Sequence, residues 1–213
     1  MLKVTTLEEE EYPQAYHRGL VEEAGEAANA TEQADEEAVS VAVYRCEPED
    51  LKEKHLTFQE NQRGCSFDSL FGPYLKEAGK ITITDPYIRM FYQIRNLMEL
   101  LETIVRQKAK EDEVAVHLIT VEDEFKGQQQ KESFEKIQES CSAVGIAFTW
   151  ELDTSGTGHA RHIVTDQGWK ILLDRGLDVF QHYEMNDAFA FANRLQQFRP
   201  CKAFEVTFLR VGE

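Results

Sequence analysis

Long apolar runs are missing from this sequence: charges interrupt every hydrophobic stretch within a few residues, so no membrane-spanning helix is encoded. The opening MLKVTTLEEEEYP has neither a basic start nor an apolar h-region, which argues against a signal peptide. Cysteine is sparse. Cys46, Cys65, Cys141 and Cys201 lie far apart with no CxxC spacing, so neither a zinc site nor a thioredoxin-type pair is written locally, and reduced thiols are the expectation, with Cys141 on a core helix face. Positive charge is also short. The net charge is −16, and residues 1–60 carry sixteen acidic side chains against five basic ones, a balance of −11. A chain of that sign is a poor nonspecific binder of nucleic acid or anionic membrane as a whole. The remaining residues balance at −5, which leaves room for a local basic pocket there.

The 213 residues suit one domain plus an accessory segment. Residues 1–64 form the accessory part, an acidic N-terminal segment rich in Glu and Ala, expected to be partly helical or flexible, with a β-prone run from Val39 to Tyr44 that Pro48 ends. Residues 65–213 are the domain. Phe67, Leu70, Phe71 and Leu75 fall at helical spacing, with Gly79 as the expected C-cap. A short strand ITIT follows, and Asp85-Pro86 then reads as N-cap plus first helical residue. The helix predicted from Pro86 to Lys108 repeats Ile88, Phe91, Ile94, Met98, Leu101 and Val105 on one stripe.

Val114–Thr120 is nearly continuous in apolar character and reads as a central strand covered on both faces. A helix from Gln128 to Val144 stops at Gly145, and Ile146–Leu152 is another strand. This alternation implies parallel strands joined by crossovers. His159–Thr165 and Trp169–Asp174, joined by Asp166-Gln167-Gly168, read as an antiparallel hairpin, and Cys201–Leu209 alternates as a last strand. The expected fold class is α/β, a mixed β-sheet flanked by helices.

The segments ITITDPYIRMFYQIRNLMELLE, VHLIT, HIVTDQGWKILLDRGLDVF and FRPCKAFEVTF carry the clearest pattern, and DPYIR, GWKI…DRGLD and the late RPC are its most specific marks. Together they resemble the phospholipase D-like domain at the C-terminus of MIT-domain proteins, in this order and over residues from about Cys65 to the C-terminus. The resemblance implies a phospholipase D-like fold that forms homodimers and, in trafficking relatives, contacts membranes or phosphoinositide. No three-helix MIT module is visible in residues 1–64. Similar domains occur as appendages of bacterial ATPase-type proteins, so the chain is also readable as a piece of something larger, a bacterial member included.

Phosphodiesterases of the phospholipase D type use His-x-Lys-x4-Asp: a histidine attacks phosphorus, a cation neutralises phosphate oxygens and a carboxylate assists. Here His159, Arg161 and Asp166 keep the spacing with arginine for lysine, a different shape and donor. Only one copy is present, so chemistry would need His159 from two chains across a dimer cleft. Lys170 and Arg175 extend a basic patch with His159 and Arg161. His117 reads as a hydrogen-bonded core histidine, and His162 points away from His159, so no metal site is expected; no cofactor is expected either. Asp85 reads as a cap, Trp169 as an anchor, and Phe189, Phe191 and Phe198 as packing first and dimer contact second.

The sequence therefore points first to a noncatalytic, homodimeric module. It would bind a phosphate-bearing ligand (phosphoinositide, membrane or nucleic acid) at a local basic pocket, or a protein partner through the acidic N-terminal segment. A metal-independent phosphodiesterase or nuclease using His159, and an oligomerisation or targeting appendage of a larger ATPase, are the alternatives. A cytoplasmic place, peripheral to membrane where lipid is bound, is the matching expectation.

Overall fold

The structure, a computed structural model, describes residues 51–154, 159–183, 187 and 189–212. The predicted strand at Val39–Tyr44 and the expected form of the acidic segment up to residue 50 lie outside the described residues.

Seven strands make one mixed sheet in the order β1-β7-β6-β5-β2-β3-β4: β1 (Lys54–Phe58), β2 (Lys80–Thr84), β3 (Val114–Thr120), β4 (Ile146–Leu152), β5 (His162–Thr165), β6 (Trp169–Leu173) and β7 (Phe204–Arg210). The neighbours β2, β3 and β4 are parallel, as the alternation of strand and helix required, and every other pairing is antiparallel. Gly168, at φ +75°, makes the turn between β5 and β6. The strand β1 was not foreseen. It pairs with β7 along its whole length, so the domain takes in residues before the expected boundary at 65.

The helices are α1 (Phe67–Leu70), α2 (Gly72–Leu75), α3 (Phe91–Gln107), α4 (Gly127–Ser142) and α5 (Phe191–Arg194), with a single 3-10 turn at Gln196–Phe198. The expected continuous helix over 67–75 is broken because Gly72-Pro73 starts a new turn, and Gly79 is no left-handed cap; its N–H goes to Asp166 Oδ1 at 3.2 Å. The helix predicted from Pro86 begins only at Phe91. Asp85 and Pro86 do start a turn, but Ile88 is drawn into the core, 1% exposed, and its carbonyl is held by Gln130 Nε2 at 2.9 Å. Gln93 then collects the N–H groups of Met90 and Arg89, at 2.8 and 3.1 Å, as the true start of α3. The buried stripe accordingly runs through Ile94, Leu97, Leu101 and Ile104, and Phe91 is left in solvent.

Strand alternation sends one set of side chains into the core. Ile81, Ile83, Val116, Leu118, Phe148, Ile163, Ile171, Val206 and Phe208 are all buried on the helix-covered face. Tyr74 of α2 seals one end, stacked on Phe208 at 4.3 Å and edge-on to Trp169 at 4.9 Å, and Phe134 of α4 closes the other against Trp150 at 5.4 Å. No helix covers the opposite face among the described residues. The expectation that β3 is covered on both faces therefore fails there: Ala115 is exposed, and His117 is not a core residue but a half-exposed one, with Nδ1 2.8 Å from Thr149 Oγ1 and Nε2 3.6 Å from Glu151.

The late Arg199 is 2% exposed. Its guanidinium pairs with Glu99 of α3 at 2.6 Å and lies over the Tyr183 ring at 4.2 Å. The packing expected of the neighbouring aromatics fails for Phe189 and Phe191, which are 97% and 70% exposed. Phe198 is half-buried, 5.9 Å from Phe191.

Candidate functional site

The site grows from the end of β2. Continuing the antiparallel register of β2 and β5 beyond Thr84↔His162 sets Asp85 opposite Arg161, both on the helix-covered side of the sheet. Asp85 is 4% exposed. Its Oδ1 accepts from Tyr87 N at 2.9 Å, and its Oδ2 accepts from Leu177 N at 3.2 Å, which comes from the loop after β6. Burial pushes the Asp85 carboxyl up; those two backbone donors, and then the Arg161 charge, oppose the shift. Leu177 is held twice, since its carbonyl accepts from Asn96 Nδ2 of α3 at 3.1 Å. The two most specific sequence marks, DPYIR and DRGLD, thus meet on one carboxylate. Asp85 does more than cap a turn: it ties together pieces of chain remote in sequence.

Gly176 sits at the closest approach. Its φ is +62°, and a Cβ there would lie 2.0 Å from Asp85 Oδ2. A glycine is required both by the left-handed backbone and by the carboxylate against it.

Arg161 Cζ lies over the Tyr87 ring, 4.2 Å from its centroid, and Nη1 donates to the Asp174 carbonyl. Its Nε is buried and has no hydrogen-bond partner, a vacant charged donor in a desolvated place. Arg89 also approaches Tyr87, at 5.5 Å. Arg175 donates through Nε to the Ala203 carbonyl at 2.7 Å and lines, with Asp85, Tyr87, Gln93, Asn96 and Asp178, a small, partly open hollow with room for about one water. That is far smaller than the pockets that enclose drug-sized ligands.

The remaining candidates are distributed otherwise. His159, two residues before Arg161, is exposed. Asp166 is at the far end of β5, five residues from Arg161 and so roughly 16 Å along an extended strand, where it accepts from Gly79 N. Lys170 and His162 stand on the open sheet face, with Lys170 opposite Val164. Burial first, and then the Lys170 charge, hold the His162 imidazole below its usual range. The fold thus brings His159, Arg161 and Arg175 to one end, leaves Asp166 at the other, and turns Lys170 to the opposite face. Tyr87 and Arg89 were missed as members of this end; the sequence signal for both was the DPYIR mark. Among the described residues no group of three His, Cys, Asp or Glu could hold a metal ion.

Residues 64–210 match the family described as the phospholipase D-like domain at the C-terminus of MIT. The chain belongs to this family. MIT domain-containing protein 1 of Mus musculus is 36% identical over 138 residues, which are 63% of this chain and 54% of the mouse protein. The chain therefore spans about half the length of that curated relative. A phosphatidylserine synthase of Haemophilus influenzae Rd KW20 superposes with a TM-score of 0.42 at 11% identity, over 76% of this chain and 35% of its own. Membership assigns the phospholipase D-like α/β fold, in which the Asp85 junction joins two of the segments that mark the family. No helix among the described residues is long and apolar enough to cross a membrane.

Proposed function

We propose that this domain is a noncatalytic, homodimeric phospholipase D-like module that holds a phosphorylated lipid headgroup at the end of β2. Arg161 is the central cation, Arg89 and Arg175 stand beside it, and His159 is at the rim. The carrying observation is the vacant, buried Nε of Arg161, whose guanidinium lies over Tyr87, a residue that lines the small hollow. A planar guanidinium already braced on Tyr87 and on a carbonyl loses little freedom when a phosphate oxygen takes its free N–H. The distance of Asp166 from this end favours holding a phosphate over cutting one. The net charge of −16 favours a headgroup over a long polyanion. The exposed Phe189 and Phe191 are the apolar surface on which a second copy would pack.

Flotation with phosphatidylcholine vesicles, with and without a few per cent phosphoinositide, tests the reading. Phosphoinositide-dependent flotation that drops at least tenfold in Arg161→Gln is the expected result. Equal flotation of both vesicle types, or retention of short DNA or RNA in place of vesicles, would overturn it. The catalytic alternative needs His159 from two chains, and metal-independent cleavage of a diester, lost in His159→Ala, would establish it instead. A dimer is expected by sedimentation equilibrium; a strict monomer at high concentration removes that part of the proposal.

A further inference from the structure

The edge of the sheet that holds Arg161 also exposes large apolar side chains that the core does not use. Strands β2, β3 and β6 run one way and β5 the other, so the ends of the first three and the start of β5 lie at one edge. Arg161, just before β5, therefore shares this edge with the 85–91 connection into α3 and the 121–126 connection into α4. Phe91 is 71% exposed and Phe125 92%, and Met90 and Tyr92 beside Phe91 are exposed as well. One side chain braces both connections. The buried Gln130 of α4 donates through Nε2 to the Ile88 carbonyl at 2.9 Å and the Val121 carbonyl at 3.0 Å, and its Oε1 accepts from Asp123 N at 2.9 Å. Asp123 Oδ1 in turn accepts from Phe125 N at 3.0 Å and Lys126 N at 2.7 Å.

Single exposed apolar residues are ordinary on a protein surface. Two phenylalanines on fixed backbone, launched from strands one and two spacings from β5, about 5 and 10 Å away, are a different arrangement. We infer that Phe91 and Phe125 are prongs that enter the interfacial layer of an anionic phospholipid bilayer beside the headgroup site, an inference that rests on the headgroup reading above.

Charge selects the occupant. Arg161 and Arg89 place cations at this edge, complementary to the phosphates of an anionic leaflet. Three carboxylates lie in the 121–126 connection. Asp123 is taken up by two backbone N–H groups, Glu122 pairs with Lys131 at 2.7 Å, and Glu124 is exposed. Attraction is therefore local to the arginines, and apolar insertion supplies the rest of the hold. A protein partner would need a preformed recess for each projecting ring, whereas a fluid acyl layer receives separate rings without a matching shape. Tyr92 and Arg89, next to Phe91 in the chain, are of the amphipathic kinds that settle where acyl chains meet headgroups.

The full chain is tested against phosphatidylcholine vesicles carrying a few per cent phosphoinositide and, separately, against soluble inositol trisphosphate. Phe91→Ser and Phe125→Ser should each lower vesicle partition about tenfold, the loss of one ring from the apolar layer. Both should bind inositol trisphosphate and unfold in urea as the wild type does, since neither ring is in the core. Arg161→Gln should lose both ligands. Phe125→Trp, on vesicles with brominated acyl chains, should be quenched beyond the wild type, which corrects for Trp150 and Trp169. Unchanged partition of both serine variants, or Phe125→Trp quenched no more than the wild type, would overturn the insertion, and retained inositol trisphosphate binding would leave the headgroup reading standing. A wild type that binds neither vesicles nor inositol trisphosphate would overturn both. Weaker self-association of the serine variants with unchanged partition would give this surface to a second copy instead.

Discussion

Replacing Gly176 with alanine probes the junction on which the phosphate site is built. An alanine at φ +62° bears the left-handed backbone cost, about 1–2 kcal/mol. Its methyl would also stand 2.0 Å from Asp85 Oδ2 and 2.7 Å from Cγ, so the carboxylate must leave. Asp85 is short, buried and fixed by two N–H groups, and losing the charged hydrogen bond to Leu177 costs roughly another 1.5–3 kcal/mol. The sum is about 4 kcal/mol, a large part of the 5–15 kcal/mol typical of a domain. With a urea dependence near 2 kcal/mol per molar, the midpoint should fall by about 2 M. The same substitution in an Asp85→Ala background meets no carboxylate, and only the backbone cost of about 1–2 kcal/mol should remain. Urea unfolding of the four proteins gives the cycle. A loss below about 1 kcal/mol in the wild type, or equal losses in both backgrounds, would refute the claim that Gly176 is required by Asp85.

Arg199→Met should cost about 3 kcal/mol, because Glu99 stays behind in a largely buried place, and Arg199→Met with Glu99→Leu should be more stable than the single variant by urea unfolding. His162 titrates at 6.5 in the unfolded chain and lower in the fold. Above pH 6.5 both states are neutral. As the pH drops from 6.5 through the lowered value, the unfolded chain takes up the proton first and stability is lost, so urea midpoints at pH 7.5 and 5.5 should converge in His162→Gln. Phe189→Ser and Phe191→Ser should leave the urea midpoint within the change of about 0.5 kcal/mol usual for surface sites. They should weaken self-association in sedimentation equilibrium.

The parallel strands were legible because Val114–Thr120 and Ile146–Leu152 are apolar runs bounded by charges and by Gly145, whose φ of +72° ends the α4 connection. The edge strand Lys54–Phe58 was not: KHLTF has polar residues at three of five positions, and only its pairing with β7 makes it a strand. The start of α3 was misread because local capping chemistry favoured Asp85, whereas Ile88 is claimed by the core and by Gln130. The His159, Arg161 and Asp166 spacing was visible, but spacing in a strand sets which residues share a face, not which end holds the chemistry. Asp85 took its second role from Leu177, 92 residues away, and Arg199 its burial from Glu99, and no local pattern announces either partner.

The double fastening of Leu177 has a kinetic consequence. Its amide proton is bonded to a buried carboxylate and its carbonyl to a buried α3 side chain, so freeing that amide means parting β2, α3 and the loop after β6 together. Hydrogen exchange at Leu177 should therefore report the rarest opening of the domain, placing a loop residue among the slowest protons in the molecule.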